Sequence, residues 1–260
     1  MPKLPAQHQF IDLSDYGRPI AIRIAQALQK TRFTPVHVTL AFVASGLLAV
    51  YCILNEYYLA AICFLILKSI LDAADGELAR LKNRPSYTGR FLDSVSDIIL
   101  NLLIVLSIWY VTGGAVWLAI LAFIGLELQG TLYNYYYTIL RNRHQGDTTS
   151  RIFETKIPIA YEGEKQRHVT FLFRLYQFFY GGFDRVIYAM DRDASKAKNF
   201  PKWLMTAVST FGLGFQLLLI GLMLVLGLAA YILPFFLVYS AFILVFIGLR
   251  RLINHENLLP

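Results

Sequence analysis

The chain is expected to be all-α, a polytopic membrane protein with six transmembrane helices and an N-terminal interfacial amphipathic helix. Three features predict this. Hydrophobic residues make up 57% of the 260 positions and charged ones 16%, a balance too apolar for a soluble domain of this length. The apolar residues gather into runs of about 20, the length a helix needs to cross the hydrocarbon core. The basic residues fall almost wholly to one side of those runs.

In the N-terminal arm (1–34), residues 15–32 (DYGRPIAIRIAQALQKTR) read as a short helix with Pro19 near its start. Ile20, Ile24, Ala27 and Leu28 fall on one side, Arg23, Gln26 and Lys30 on another, which suits a helix lying in the headgroup plane. Thr34-Pro35 then opens the first span. Spans are expected at about 35–54, 57–77, 91–112, 115–140, 203–227 and 229–250. The turns near Asn55-Glu56, Gly113-Gly114 and Gly227-Leu228 are only a few residues long, so consecutive helices form antiparallel hairpins.

The remaining segment, 141–202, is read as a cytoplasmic or interfacial insertion between spans four and five. It holds twelve basic residues. Its one apolar stretch, 168–190, is interrupted by Arg174, Asp184 and Arg185 and weakened as a helix by Gly181-Gly182. An amphipathic interfacial segment fits better than a seventh crossing. With no internal repeat, 1–260 is treated as one domain.

Of 24 Lys and Arg, 23 lie in the arm, the 80–90 turn, the 141–202 insertion or Arg250-Arg251, and Lys68 lies within a span. The opposite side carries Glu56 alone. By the positive-inside rule both termini face the cytoplasm. The net charge of +7 then reflects orientation and affinity for anionic lipid, and nucleic acid is not expected as a partner. No signal peptide is expected, since no h-region precedes the first span. Cys52 and Cys63 lack metal-type spacing and read as buried thiols.

The chemistry concentrates between residues 72 and 97: LDAADGELARLKNRPSYTGRFLDSVSD. Asp72, Asp75, Gly76 and Ala79 share one helix face. Asp93 and Asp97, at i and i+4, form a stripe on the next helix, with Asn101 a turn further. A short connection makes these helices antiparallel neighbours, so the stripes can meet. Four carboxylates at membrane depth need a compensating cation or proton. Oxygen-only ligands from rigid helices suit Mg²⁺ or Mn²⁺. Gly76 and Ala79 withhold bulk beside the carboxylates, and Arg80 offers a planar fork to phosphate. Together these describe a diphosphate site. No Ser–His or Cys–His pair accompanies it, so the nucleophile belongs to the substrate and one carboxylate takes its proton. Helix packing would explain the small residues and an Asp–Arg pair but not four acids.

The pattern Asp72-x2-Asp75-Gly76-x2-Ala79-Arg80-x8-Gly89-x3-Asp93-x3-Asp97 resembles the signature of the CDP-alcohol phosphotransferases. Six spans behind an interfacial helix are similar to that family too, over most of the chain except 141–202. Thr34-Pro35-Val36-His37-Val38-Thr39 looks like the family's entry to its first span, with Val36 where asparagine is common. The resemblance implies attack of a hydroxyl on the phosphorus distal to cytidine in a CDP-linked alcohol, with release of CMP. It implies that Asp72, Asp75 and Asp93 ligate metal and that Asp97 is the general base, sharing a metal in some versions. It implies that Gly76, Ala79 and Arg80 line the cytidine diphosphate pocket, that Gly89 permits close approach, and that the chain pairs as a homodimer. CDP-diacylglycerol with a polar acceptor is the preferred direction. The reverse transfers phosphoethanolamine or phosphocholine to diacylglycerol. A membrane prenyltransferase would need two separated aspartate clusters, and a cation transporter would distribute polar residues over several helices.

Other polar residues fall within the spans. Lys68, one turn before Asp72, is assigned to the site, where it would neutralise a carboxylate or hold an anionic acceptor; a snorkelling lysine is the alternative. Glu127 and Gln129 are open between function and interhelical hydrogen bonding. Arg141 and Arg143 would meet a phosphorylated acceptor or serve as orientation signals. Tyr133, Tyr135, Tyr136 and Tyr137 read as an interfacial belt.

Overall fold

The computed structural model describes residues 4–83, 85–144, 156–197 and 200–256, and regular structure among them is entirely helical. The expected insertion at 141–202 is thus seen except for 145–155 and 198–199, which lie outside the described residues, as does Arg84 of the 80–90 turn.

Helix α1 (Arg18–Gln29) follows two 3-10 turns, Ala6–His8 and Leu13–Asp15. Its buried face is not the one the sequence suggested. Ala21 and Ala25 are fully buried against Ile70, Ala74 and Leu78, with Ile24 and Leu28 packed beside them, while Ile20 is half exposed. Small residues win this face because they let α1 approach its neighbour closely. Gly17 extends the contact: a Cβ there would lie 2.6 Å from Ile70 Cγ1.

Helix α2 (Pro35–Leu54) starts where Thr34-Pro35 predicts, with the Thr34 amide donating to His37 Nδ1 at 3.1 Å. The turn after it places Glu56 at φ 59°, the left-handed region that β-branched and bulky residues avoid. Helix α3 (Tyr58–Leu81) runs four residues past the expected end at 77. Helix α4 (Tyr87–Thr112) begins four residues before the expected start at 91. Its first turn is fixed from outside: Ser86 Oγ accepts from the Gly89 amide, and Glu164 takes the Thr88 amide at 2.7 Å and the Ser86 hydroxyl at 2.7 Å. Gly113, at φ 62°, ends α4 in the left-handed conformation typical of a helix C-terminus. Helix α5 (Val116–Arg143) follows.

Helix α6 (Gln166–Met190) occupies the insertion and packs across α4 and α5. Helices α7 (Lys202–Val208), α8 (Leu213–Val225), α9 (Ala229–Tyr239) and α10 (Phe242–Glu256) complete the chain.

Among the described residues, four segments are long and apolar enough to cross a membrane: Pro35–Leu54, Tyr87–Thr112, Val116–Arg143 and Ala229–Asn254. The other two of the six expected spans are not among these four. The run at 203–227 is a broken pair, Lys202–Phe211 and Leu213–Val225, bent by 55°. Gly212 sits at the break with extended backbone, and a Cβ on it would meet Ser14 Oγ at 2.3 Å. The N-terminal arm thus wedges into the bend. The run at 57–77 is one unbroken helix, but Lys68, Asp72 and Asp75 deny it an uninterrupted apolar length. Helix α3 shelters two of these inside the bundle, Lys68 at 0% and Asp75 at 7% exposure.

The two larger of four apolar clusters among the described residues hold most of the bundle. One joins Ala49, Ile53, Leu65, Ile104, Ile108, Leu217, Ile220 and Phe236. The other joins Leu132, Tyr136, Ile139, Ile187, Leu204, Val208 and Phe211. Tyr133, Tyr135 and Tyr136 belong to the second cluster and are at most 7% exposed, so the expected tyrosine belt is instead a buried ladder. Their hydroxyls find partners inside, which is what lets them be buried. Tyr136 donates to Asp191 Oδ2 at 2.6 Å, and Asp191 also takes the Arg250 guanidinium. Arg250, read as an orientation signal, is 3% exposed and ties α10 to the end of α6. Of the cysteines, Cys52 is buried as expected but Cys63 points outward from α3.

Candidate functional site

The last turns of α3 and the first turns of α4 meet at a cavity of about 410 Å³. Because α3 runs on to Leu81 and α4 starts at Tyr87, all four aspartates of the window lie on helix and are directed by rigid backbone. Asp72, Asp75, Asp93 and Asp97 all line the cavity, with Gly76 and Arg80.

One oxygen each from Asp72, Asp75 and Asp93 lies within 4.8 Å of the others. Asp97 is not part of that group. It faces Lys68, whose ammonium is 2.5 Å from Asp97 Oδ1. Asp75 is buried and accepts from the Thr39 hydroxyl of α2 at 2.7 Å. Asp93 Oδ1 is enclosed and has no hydrogen-bond partner. A buried carboxylate oxygen left without a donor costs free energy unless something positive meets it. Three converging carboxylates, one with an orphaned oxygen, suit a hard divalent cation. The donor set is oxygen only, which disfavours zinc or copper.

Arg80 is less free than the sequence suggested. Its guanidinium meets Glu77 at 3.0 Å, and Glu77 also takes Arg18 from the arm. The fork folds back over Gly76, where an added Cβ would lie 3.6 Å from Arg80 Nη2. Gly76 therefore leaves open the surface that Arg80 flanks. Ala79 and Gly89 do not line the cavity. Gly89 sits instead in the first turn of α4, with Val36 3.8 Å from the place of its missing Cβ.

The two polar residues of the fourth span separate. Glu127 lines the cavity, accepting from Asn101 Nδ2 at 2.9 Å. Gln129 is fully buried in an interhelical network with Gln216 and Ser240 at 3.0 Å each. Arg141 lines the cavity and stacks its guanidinium 5.0 Å from the Tyr137 ring; Arg143 is exposed and apart.

Two walls were not legible in the sequence. Asp12, Ser14 and Asp15 enter from the arm, where Tyr133 donates to Asp12 at 2.5 Å and the Leu13 amide to Ser209 Oγ at 2.9 Å. The clustered Asp-Leu-Ser-Asp just before α1 was the available signal. From α6 come Tyr176, Tyr180, Asp184 and Ile187, with Tyr180 donating to the Ser94 carbonyl at 3.2 Å. Asp184, an acid inside an apolar stretch, marked that wall. Burial first, then the charges of Glu127, Asp97 and Asp93, push the Tyr180 phenol well above its ordinary range, so it remains a donor.

Part of the chain is similar to the inner membrane protein YnjF of Escherichia coli (strain K12), 33% identical over 87 residues. That match covers 34% of this chain and 42% of YnjF, so the chain spans less than half the length of this relative. Residues 31–161, half of the chain and the part that carries every aspartate of the cluster, match the family model for CDP-alcohol phosphatidyltransferase, and the chain belongs to that family.

Proposed function

We propose that this protein transfers a substituted phosphate from a CDP-linked alcohol, CDP-diacylglycerol by preference, to the hydroxyl of a polar acceptor. The step belongs to phospholipid synthesis at the inner membrane and releases CMP. The observation that carries this reading is the convergence of Asp72, Asp75 and Asp93 within 4.8 Å on a cavity that also holds Arg80 and Asp97. Mg²⁺ (or Mn²⁺) held by those three carboxylates would offset the charge of the diphosphate.

The remaining chemistry falls to side chains. Arg80, lying over Gly76, offers its fork to a phosphate oxygen. The acceptor oxygen forms a bond to the phosphorus distal to cytidine, and the bond from that phosphorus to the bridging oxygen breaks with CMP as leaving group. Asp97 takes the hydroxyl proton, and Lys68, on one of its two oxygens, holds that carboxylate toward the cavity. Gly89 leaves room for the Ser86 cap at the start of α4. Ala79 is retained beside the nucleotide through the family pattern alone.

In the same reading α3 and the bent α7–α8 pair also cross the bilayer, making six spans. The site and both termini face the cytoplasm, where basic residues concentrate, α1 lies along the interface, and two copies of the chain pair. A second reading reverses the transfer, moving phosphoethanolamine or phosphocholine from a CDP-amino alcohol to diacylglycerol. Asp12, Asp15 and Asp184 favour it, since acids in the wall suit a cationic head group.

The test offers purified protein a matrix of CDP-alcohols and hydroxyl acceptors and reads CMP release together with the lipid formed. CMP from CDP-diacylglycerol with a polar acceptor supports the first reading, and CMP from a CDP-amino alcohol with diacylglycerol the second. Metal flux into vesicles with no CMP from any pair would overturn both.

A further inference from the structure

Helix α6 has two faces of different character. Its inner face presents Val169, Phe173, Tyr176, Tyr180 and Ile187 to α4, α5 and the cavity. On its outer face Arg167, Phe171, Arg174, Phe178 and Arg185 recur at spacings of three, four and seven, so they lie along one stripe. All five are exposed, Phe171 at 62% and Phe178 at 79%. Ile157 and Ile159, 44% and 87% exposed, continue an apolar edge ahead of the helix.

We propose that this outer stripe is a binding surface for anionic lipid headgroups, and that lipid engagement holds the inner face of α6 against the site. Arginine alternating with phenylalanine is unsuited to hydrocarbon, where three charges on a lipid-facing stripe would be uncompensated. It is equally unsuited to bulk water, where two large aromatics would stand exposed. At the headgroup layer both are satisfied: the rings sink toward the acyl boundary and the guanidinium groups meet phosphate.

The position of α6 agrees. Phe173 packs on Phe91 and Tyr180 reaches Ser94, both in the first two turns of α4, while Tyr188 meets Tyr135 toward the C-terminal end of α5. These are the ends of two membrane-length helices on the same side of the bundle. The charge of the stripe is complementary to an anionic leaflet.

The test is amide hydrogen exchange of the full chain in nanodiscs, either of phosphatidylcholine alone or with about one third phosphatidylglycerol. Exchange across α6 is expected to slow on the order of tenfold in the anionic bilayer, and high salt should remove most of that difference. The triple variant R167Q/R174Q/R185Q should exchange like the native chain in phosphatidylcholine but lose the response. R167K/R174K/R185K, which keeps the charge, should retain it. Equal α6 exchange in the two bilayers, or a full response in the glutamine variant, would overturn the proposal. Because the readout needs no turnover, its failure is distinguishable from failure of the transferase reading.

Discussion

Lys68 places its ammonium 2.5 Å from Asp97 Oδ1, with the lysine side chain completely enclosed and the aspartate 14% exposed. This pair divides the aspartate window into two parts. Asp72, Asp75 and Asp93 face one another and call for an added cation, whereas Asp97 already has one. In the proposed reading the first part would hold the metal and the second would accept the proton, both on the same two helices.

Removing one member of a buried pair strands the other. Lys68→Met is expected to destabilise the protein by about 3–5 kcal/mol, read as a lowered unfolding midpoint in detergent. Adding Asp97→Asn should restore much of the loss, because no charge is then left unpaired. Equal damage in the single and double variants would show that the ion pair is not the source.

Asp97→Asn alone strands Lys68 and so is expected to lower stability, but the folded variant should retain metal-dependent nucleotide binding while turnover falls on the order of 10²–10⁴-fold. Isothermal titration with CDP and a CMP-release assay separate the two. Near-native turnover would remove Asp97 as the base.

Gly214 packs under the N-terminal arm so closely that a Cβ would lie 2.0 Å from the Ser14 carbonyl oxygen. Backbone cannot yield as a flexible side chain would. Gly214→Ala should cost about 1–3 kcal/mol and displace Asp12 and Asp15 from the cavity. Proteolysis within the arm should accelerate, and an unchanged cleavage rate would contradict the wedge.

Glu164 governs the first turn of α4. Partial burial alone would raise its pKa, but the Ser86 hydroxyl and the Thr88 and Tyr161 amides stabilise the carboxylate more and hold it below the ordinary 4.5. A lowered folded-state value means that its contribution is complete above about 4.5 and is lost as pH falls through the folded value. Protection of the Tyr87 and Thr88 amides, corrected for intrinsic exchange, should drop in that acidic window. Glu164→Gln should start lower and lose the pH step.

The aspartate window was legible because its chemistry is local: helical spacing alone puts Asp72 beside Asp75 and Asp93 beside Asp97. The helix hairpins were legible for the same reason. What escaped were contacts between distant segments. In the run at 203–227 only Gly212 and Gly214 hint at a break, and the segment packed against them, at Ser14, lies about two hundred residues earlier. The tyrosines of α5 looked interfacial because their partners are distant in sequence: Asp191, at the end of α6, for Tyr135 and Tyr136, and Asp12, in the arm, for Tyr133. Glu127 and Gln129 are two residues apart on α5 and point to different neighbours, which only the packing of α4 and α8 decides. Small residues on α1 were similarly quiet, although Ala21 and Ala25 form its contact face.

The most direct test of the carboxylate cluster is Mn²⁺ binding followed by electron paramagnetic resonance on the purified protein without nucleotide. Saturable binding to the native chain, weakened at least about tenfold in both Asp72→Asn and Asp93→Asn, is the expected result. Native-like Mn²⁺ affinity in both variants would mean that these helices do not share an ion.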